Sequence, residues 1–500
     1  MNRGCFIRII CTSAFFILNS SFFIPNSARA QWWETYSEKT GLVLSLHQTD
    51  SAYELYSPLQ TSDPIPVSKW SLRNDTLRLE CASIGFKATL IRNTTPLSPT
   101  KRGDTHSLPS PISEGGQGAA ITWTGTWHQG LMKETVTFRP ADTLFQLRRP
   151  QTPQPPYRFD EETVAVDYVD SHGNTVHLEG TLTIPRQPSP PAGRGARQGG
   201  VGLDETLYPT LLLVSGSGQQ NRDEELFQHK PFLVLADYLA SHGIAVLRYD
   251  DRGVGASTGP LDSADTRLFA EDAEALFNVL RTNPHVDPAR CGIGGHSEGG
   301  AIAPMVAARN KDVMFVVMLA GQGCTGLDVL LQQNDALYRA TGLSDSLLTL
   351  RNACIRELFA LPAGTPQKDF QSIINRHTAG LSKAQIDSLG LGRGAAYQFK
   401  QDIALPWIQS FIKLNPVDYL PKVTCPVLAL NGSNDLQVLP HPNIDRIRQL
   451  CPQADCRELP GLNHLFQHCT TGLPSEYMMT EETLAPEAMK ALADWILALP

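Results

Sequence analysis

Charge is scarce in this chain, and so are long apolar runs. Charged residues make up 18% of the 500 positions, against roughly 25% in an average soluble chain, and the net charge is only −8. A nucleic-acid partner is therefore not expected. No stretch of about 20 apolar residues occurs after residue 30, so the mature chain is not expected to span a membrane. Two cofactor signatures are also incomplete. Gly292-Ile293-Gly294 begins a dinucleotide fingerprint, but Ser297 stands where its third glycine belongs, and MLAG where its acidic residue should follow. Cys451, Cys456, His464 and His468 could form a zinc site, yet Leu465 occupies the position of the glutamate in a zinc-protease helix, and an exported chain favours a disulfide. Neither a metal nor an organic cofactor is expected.

The N-terminus reads as an address. Arg3 and Arg8 precede the apolar segment CTSAFFILNSSFFI, and Ala28-Arg29-Ala30 supplies a small-residue cleavage site. Cleavage there would export the protein to the periplasm or the medium. Of ten cysteines, Cys5 and Cys11 would leave with this segment, and an oxidising compartment would let some of the other eight pair. The nearest pair is Cys451 and Cys456, in CPQADC.

Five hundred residues suggest two domains and an insertion. Residues 31–147 show short alternating runs broken by turn residues, as in DTLRLECASIGFKATLI, and are expected to form an antiparallel β-barrel or sandwich. A proline-rich linker, residues 148–159, marks the boundary. From residue 160 to 500 a hairpin turned at Ser171–Asn174 leads, past a Pro-, Gly- and Arg-rich insert at 186–205, into alternating strands and helices. That alternation predicts a mostly parallel sheet with helices on both faces. It stops at about 322–420, where amphipathic segments predict a helical cap over the carboxyl ends of the strands.

The chemistry centres on Gly295-His296-Ser297-Glu298-Gly299, a G-x-S-x-G pattern between a predicted strand and a predicted helix. Small flanking residues let such a serine occupy a sharp, strained turn and expose its hydroxyl. A serine needs a base, and a neighbour in the turn points away, so His296 is assigned a structural place. In this architecture the order is serine, acid, histidine. Asp435, after the strand PVLALNG, fits the acid, and His464, in LPGLNHLF, fits the base in preference to His468. The oxyanion would be held by the backbone N–H of Glu298 and by one from Ser215-Gly216-Ser217-Gly218-Gln219, with Ser217 or Gly218 as donor. Arg222 and Glu224 are candidates for orienting a polar group of the substrate, whereas RYDDRG at 248–253 reads as an internal ion-paired loop.

Taken together, GSGQQNRDE, HKPFLVLADYLASHGIAVLRYDDRGVGASTG, GGHSEGG, PVLALNGSND and LPGLNHLFQ resemble bacterial α/β-hydrolase carboxylesterases with a small N-terminal β domain, related to the serine aminopeptidase-like hydrolases. The resemblance covers residue 158 onward and, more loosely, residues 32–147; the insert departs from the family pattern. It implies a Ser297, Asp435, His464 triad with amides near Ser217 and Glu298, acting on a small-molecule ester, acylated sugar or peptide. Two other functions are weighed. An exported aminopeptidase or dipeptidyl-peptidase-like enzyme would use the same triad and an acid such as Glu224 or Glu225 for the substrate amine. A glycan-binding protein with a vestigial hydrolase would grip sugar through Trp123 and Trp127. The sequence leaves the oligomeric state open.

Overall fold

In a computed structural model, residues 31–36, 43–49, 52–57, 65, 67–81, 86–96, 119–129, 132–141, 147–186, 207–261 and 263–500 are described. The expected signal segment and all but the first residue of the 186–205 insert lie outside them. The chain divides into two compact units, residues 1–148 with Leu226–Gln228, and Arg149–Glu225 with His229–Pro500.

The first unit is antiparallel throughout. Its strands are β1 (Gln31–Tyr36), β2 (Val43–Gln48), β3 (Tyr53–Tyr56), β4 (Lys69–Arg73), β5 (Thr76–Cys81), β6 (Phe86–Pro96), β7 (Ala119–Gln129) and β8 (Met132–Ala141), in the order β3-β2-β1-β8-β7-β6-β5-β4. Alternation places Leu77, Leu79 and Cys81 of β5 inside, where they join Leu46, Leu55, Phe86 and Phe138 in one core. The ends of the order meet, since Tyr53 packs edge-on against Trp70 and Leu55 bridges to Ile65. The sheet thus curls on itself. Trp123 and Trp127 are each 2% exposed in this core, so they present no face to a sugar. That removes the ground for the glycan-binding reading.

The second unit opens with a hairpin of β9 (Phe159–Val169) and β10 (Thr175–Pro185), turned at Ser171–Asn174 as predicted. Then follow β11 (Tyr208–Val214), α1 (Pro231–Ser241), β12 (Ala245–Tyr249), α2 (Thr266–Leu280), β13 (Val286–His296), α3 (Gly299–Arg309) and β14 (Val316–Leu319). The cap comprises α4 (Gly326–Ala340), α5 (Asp345–Phe359), α6 (Gln367–His377), α7 (Lys383–Ser388), α8 (Ala395–Ala404) and α9 (Pro406–Phe411). The chain ends with β15 (Val427–Gly432), α10 (Pro440–Leu450), β16 (Ala454–Leu459) and α11 (Pro486–Ala498).

The sheet order is β16-β15-β14-β13-β11-β12-β10-β9; β9, β10 and β12 pair antiparallel, and the remaining pairs are parallel. Its strands are nearly continuous apolar runs because both faces are covered. Leu247, Ile293 and Met318 meet α2 and α3 on one face, and Leu211, Val246 and Val317 meet α1 and α11 on the other. The cap leaves the carboxyl end of β14 and returns before β15, its parallel neighbour, with a core of its own around Leu358, Phe370 and Ile374.

The proline-rich segment is fastened within the second unit: the Arg149 guanidinium donates to the carbonyls of Met478 and Thr480, and Gln151 bonds to the backbone of Thr483 and Leu484. The expectation of paired cysteines needs correction. All eight described cysteines are free, Cys451 and Cys456 included. Cys451 is 1% exposed in the main core, where it packs as a small apolar side chain, and burial pushes its thiol up to about 11.

Candidate active site

The strand β13 ends at His296 and α3 begins at Gly299, so Ser297 and Glu298 alone make the turn. Ser297 has φ of +54°, a left-handed conformation that costs a side chain about 1–2 kcal/mol and is kept where surrounding contacts enforce it. Those contacts are visible. The Ser297 N–H donates to the Leu319 carbonyl of β14 at 2.8 Å, and its own carbonyl accepts from Gly300 at 3.0 Å. The glycines are required by close approach. A Cβ on Gly295 would lie 2.4 Å from the Gly299 carbonyl carbon, and one on Gly299 2.2 Å from the Val214 oxygen. Ser297 is half-buried while its neighbours on either side are buried.

Asp435 and His464 come from the loops after β15 and β16, at the carboxyl edge of the same sheet. His464 Nδ1 lies 2.8 Å from Asp435 Oδ2, and both residues are buried. The other carboxylate oxygen of Asp435 accepts from the N–H groups of Gln437 and Val438, at 2.7 and 2.9 Å, which fixes its direction. His468 stands apart: it is exposed and bonded to Glu482 and Glu487. Among the described residues no hydrogen bond joins the Ser297 hydroxyl to the His464 ring. Bonds of this kind commonly tighten only when substrate is bound.

His296 connects the two halves of this arrangement. Its Nε2 donates to the His464 carbonyl at 2.9 Å, and its Nδ1 lies 3.0 Å from Glu224 Oε1. Burial opposes charge on this ring, but the Glu224 carboxylate beside it outweighs burial with the help of these hydrogen bonds and raises its pKa above the ordinary histidine value. A protonated ring donates from both nitrogens and has no lone pair left to take a proton from Ser297.

The loop after β11 is fastened by acids. Asp251 accepts from the Ser215 hydroxyl at 2.7 Å and the Gln220 N–H at 2.9 Å, and Glu224 takes the Gly216 N–H at 2.6 Å. Burial pushes the Asp251 carboxyl well up. Among the described residues, the N–H groups of Ser217, Gly218 and Glu298 donate to no protein acceptor. Arg222 and Glu224 lie behind the loop. The Arg222 guanidinium is taken up by Asp250, Glu179 and Thr181, and Glu224 is buried. Both hold the loop rather than face open space. Arg252 is fully buried between Asp170 and Asp272, as the ion-paired reading of this region required.

Sequence reasoning missed the Glu298 side chain. Its carboxylate is buried and accepts from Thr266 Oγ1 at 2.6 Å and from Trp407 Nε1 at 2.9 Å to each oxygen. Burial pushes its pKa up, and Thr266, Trp407 and the nearby Ser217 side chain pull against that. Nothing local announces the role, because the motif admits any residue at that position. Among the described residues no group of three His, Cys, Asp or Glu side chains is placed to hold a metal.

Residues 230–467, from the start of α1 through the His464 loop, match the family model described as serine aminopeptidase, S33. This segment is similar to the serine aminopeptidase-like α/β-hydrolases. Within that family's span lie the elbow, the acid loop and the histidine loop. Esterase EstD of Thermotoga maritima is 27% identical over 262 residues, 51% of this chain and 56% of its own length. A polyketide transferase of a Penicillium species is 33% identical over 87 residues, 17% of this chain and 30% of that protein. The chain thus spans little more than half of one curated relative and less than a third of the other. Among solved structures, Est1E from Butyrivibrio proteoclasticus aligns with a TM-score of 0.36 at 13% identity, over 67% of this chain and 98% of that one. Among the described residues no helix is long and apolar enough to cross a membrane.

Proposed function

We propose that this protein is a serine hydrolase that cleaves carboxylic esters of small molecules through an acyl-enzyme on Ser297. The observation that carries the reading is the buried 2.8 Å bond between His464 and Asp435, at the same sheet edge as the strained Ser297 elbow. His464 Nε2 takes the hydroxyl proton as Ser297 Oγ attacks the ester carbonyl. The N–H groups of Glu298 and Ser217, with Gly218 beside them, hold the developing oxyanion. Collapse expels the alcohol, which receives the proton from His464. Water then repeats the sequence and frees the acid. Asp435 orients the ring and stabilises the imidazolium. The family match and the relative named an esterase support this chemistry.

Export is part of the proposal and rests on Arg3, Arg8, the apolar segment and Ala28–Ala30. N-terminal sequencing of the secreted or periplasmic form checks it, with Gln31 expected first. The catalytic test is a panel of short- and long-chain acyl esters beside aminoacyl amides. Wild type should turn over esters, and Ser297→Ala should lose roughly a thousandfold or more. Turnover confined to the amides would instead make the protein a peptidase. Glu224 and Glu225, the acids that reading needs, are bound to Gly216 and His296 and paired with Lys230 respectively.

A further inference from the structure

The buried carboxylate of Glu298 gathers donors from two distant parts of the unit, with a third part beside it. Thr266 begins α2 and Trp407 belongs to α9 of the cap, while Ser217, in the loop after β11, has its side chain nearby. Burying a carboxylate is unfavourable unless such donors satisfy it, so their loss is felt by the residue that bears it. That residue carries one candidate oxyanion N–H on its own backbone. Ser217, whose side chain lies near the same carboxylate, carries the other. The first of the two groups that must point at one oxygen atom is therefore held through a carboxylate with the second beside it, and Trp407 grips that carboxylate from the cap. The indole is held in turn, stacked on Phe411 with ring centres 5.2 Å apart.

We propose that the Glu298 side chain is a positioning residue that couples the docked cap to the oxyanion donors, with Trp407 as the cap's contribution. The cap is then a working part of the site, because α9 in place aligns the Glu298 and Ser217 amides for acylation. This inference rests on the acyl-enzyme reading of Ser297.

The test compares wild type, Trp407→Phe, Glu298→Gln and Glu298→Ala in ester kinetics and in the rate of covalent labelling by a fluorophosphonate, with Ser297→Ala as blank. Trp407→Phe keeps the ring on Phe411 and removes only the N–H. It should lower kcat and the labelling rate together by about ten- to a hundredfold, while KM moves less than about threefold. Glu298→Gln, nearly isosteric and the variant whose folding is least at risk, retains an acceptor and should fall between wild type and Glu298→Ala. Circular dichroism and the thermal midpoint establish that each variant is folded. A folded Trp407→Phe that labels and turns over like wild type overturns the coupling. So does a change in KM alone, which would make Trp407 a wall of the substrate pocket. Equal loss in the Gln and Ala variants also counts against it, since acceptor chemistry would then be irrelevant. Failure of wild type itself to label would instead remove the acyl-enzyme reading, and this inference with it.

Discussion

Three histidines compete for a place in the proposed mechanism, and their surroundings separate them. His464 has its Nδ1 committed to Asp435, which leaves Nε2 for proton transfer; Asp435→Asn should lower kcat by about 10⁴-fold by favouring the wrong ring tautomer. His468 is exposed and paired with two glutamates, so His468→Gln should change kcat by less than about twofold. Kinetics of the two variants side by side separate the roles, and equal losses would reassign the base. His296 carries a pH signature. Its folded pKa is raised, so the stability it contributes is fully present below the ordinary histidine value and is lost as pH rises through the folded value. Urea midpoints measured from pH 5.5 to 9 should show wild type exceeding His296→Gln by most at the acid end, with the gap closing as the solution becomes alkaline. A gap that widens with pH would mean that the ring is neutral in the fold.

At the scale of elements, the strand-turn-helix of β13 and α3 works because it has no room for side chains at two places. Gly295 abuts the backbone of Gly299, and Gly299 abuts that of Val214, so no rotamer change can relieve an added methyl. Gly295→Ala is expected to cost at least about 1–3 kcal/mol in urea unfolding and to reduce turnover as Ser297 is displaced. A variant as stable and active as wild type would show the turn to be looser than its contacts imply. The loop after β11 is an element of another kind. It has no regular hydrogen-bonded pattern and takes its shape from Asp251, Glu224 and Asp250, which grip it at Ser215, Gly216, Gln220 and Arg222. Rigidity from side chains leaves its tip N–H groups free, as the proposed oxyanion role requires.

At the scale of the molecule, each unit has its own core. The first packs aromatic and aliphatic side chains inside one curled antiparallel sheet, and the second covers both faces of a mostly parallel one. Calorimetry should therefore resolve two transitions. Leu46→Ala should depress one and Leu247→Ala the other, each by about 2–5 kcal/mol, since both side chains are wholly buried in separate cores. One transition shifted by either substitution would refute the division. Reductant should leave both midpoints unchanged, because the eight described cysteines are unpaired.

The amino-acid sequence by itself determined what depends on neighbours along the chain. Alternation set the strands, glycine and proline set the turns, and G-x-S-x-G between strand and helix located Ser297. The order of Asp435 and His464 after their strands followed from the topology that the βα pattern implies. Tertiary structure decided which distant groups meet. Cys451 went to the core rather than to Cys456, the proline-rich segment found backbone partners near the C-terminus, and Arg222 and Glu224 turned to the loop they support. The Glu298 carboxylate found an indole 109 residues away. The physical reason is the same in each case. A dihedral preference or an apolar period is a local energy and leaves a local mark, whereas the partner of a buried polar group is whichever donor or acceptor the packing of the sheet and cap brings within about 3 Å.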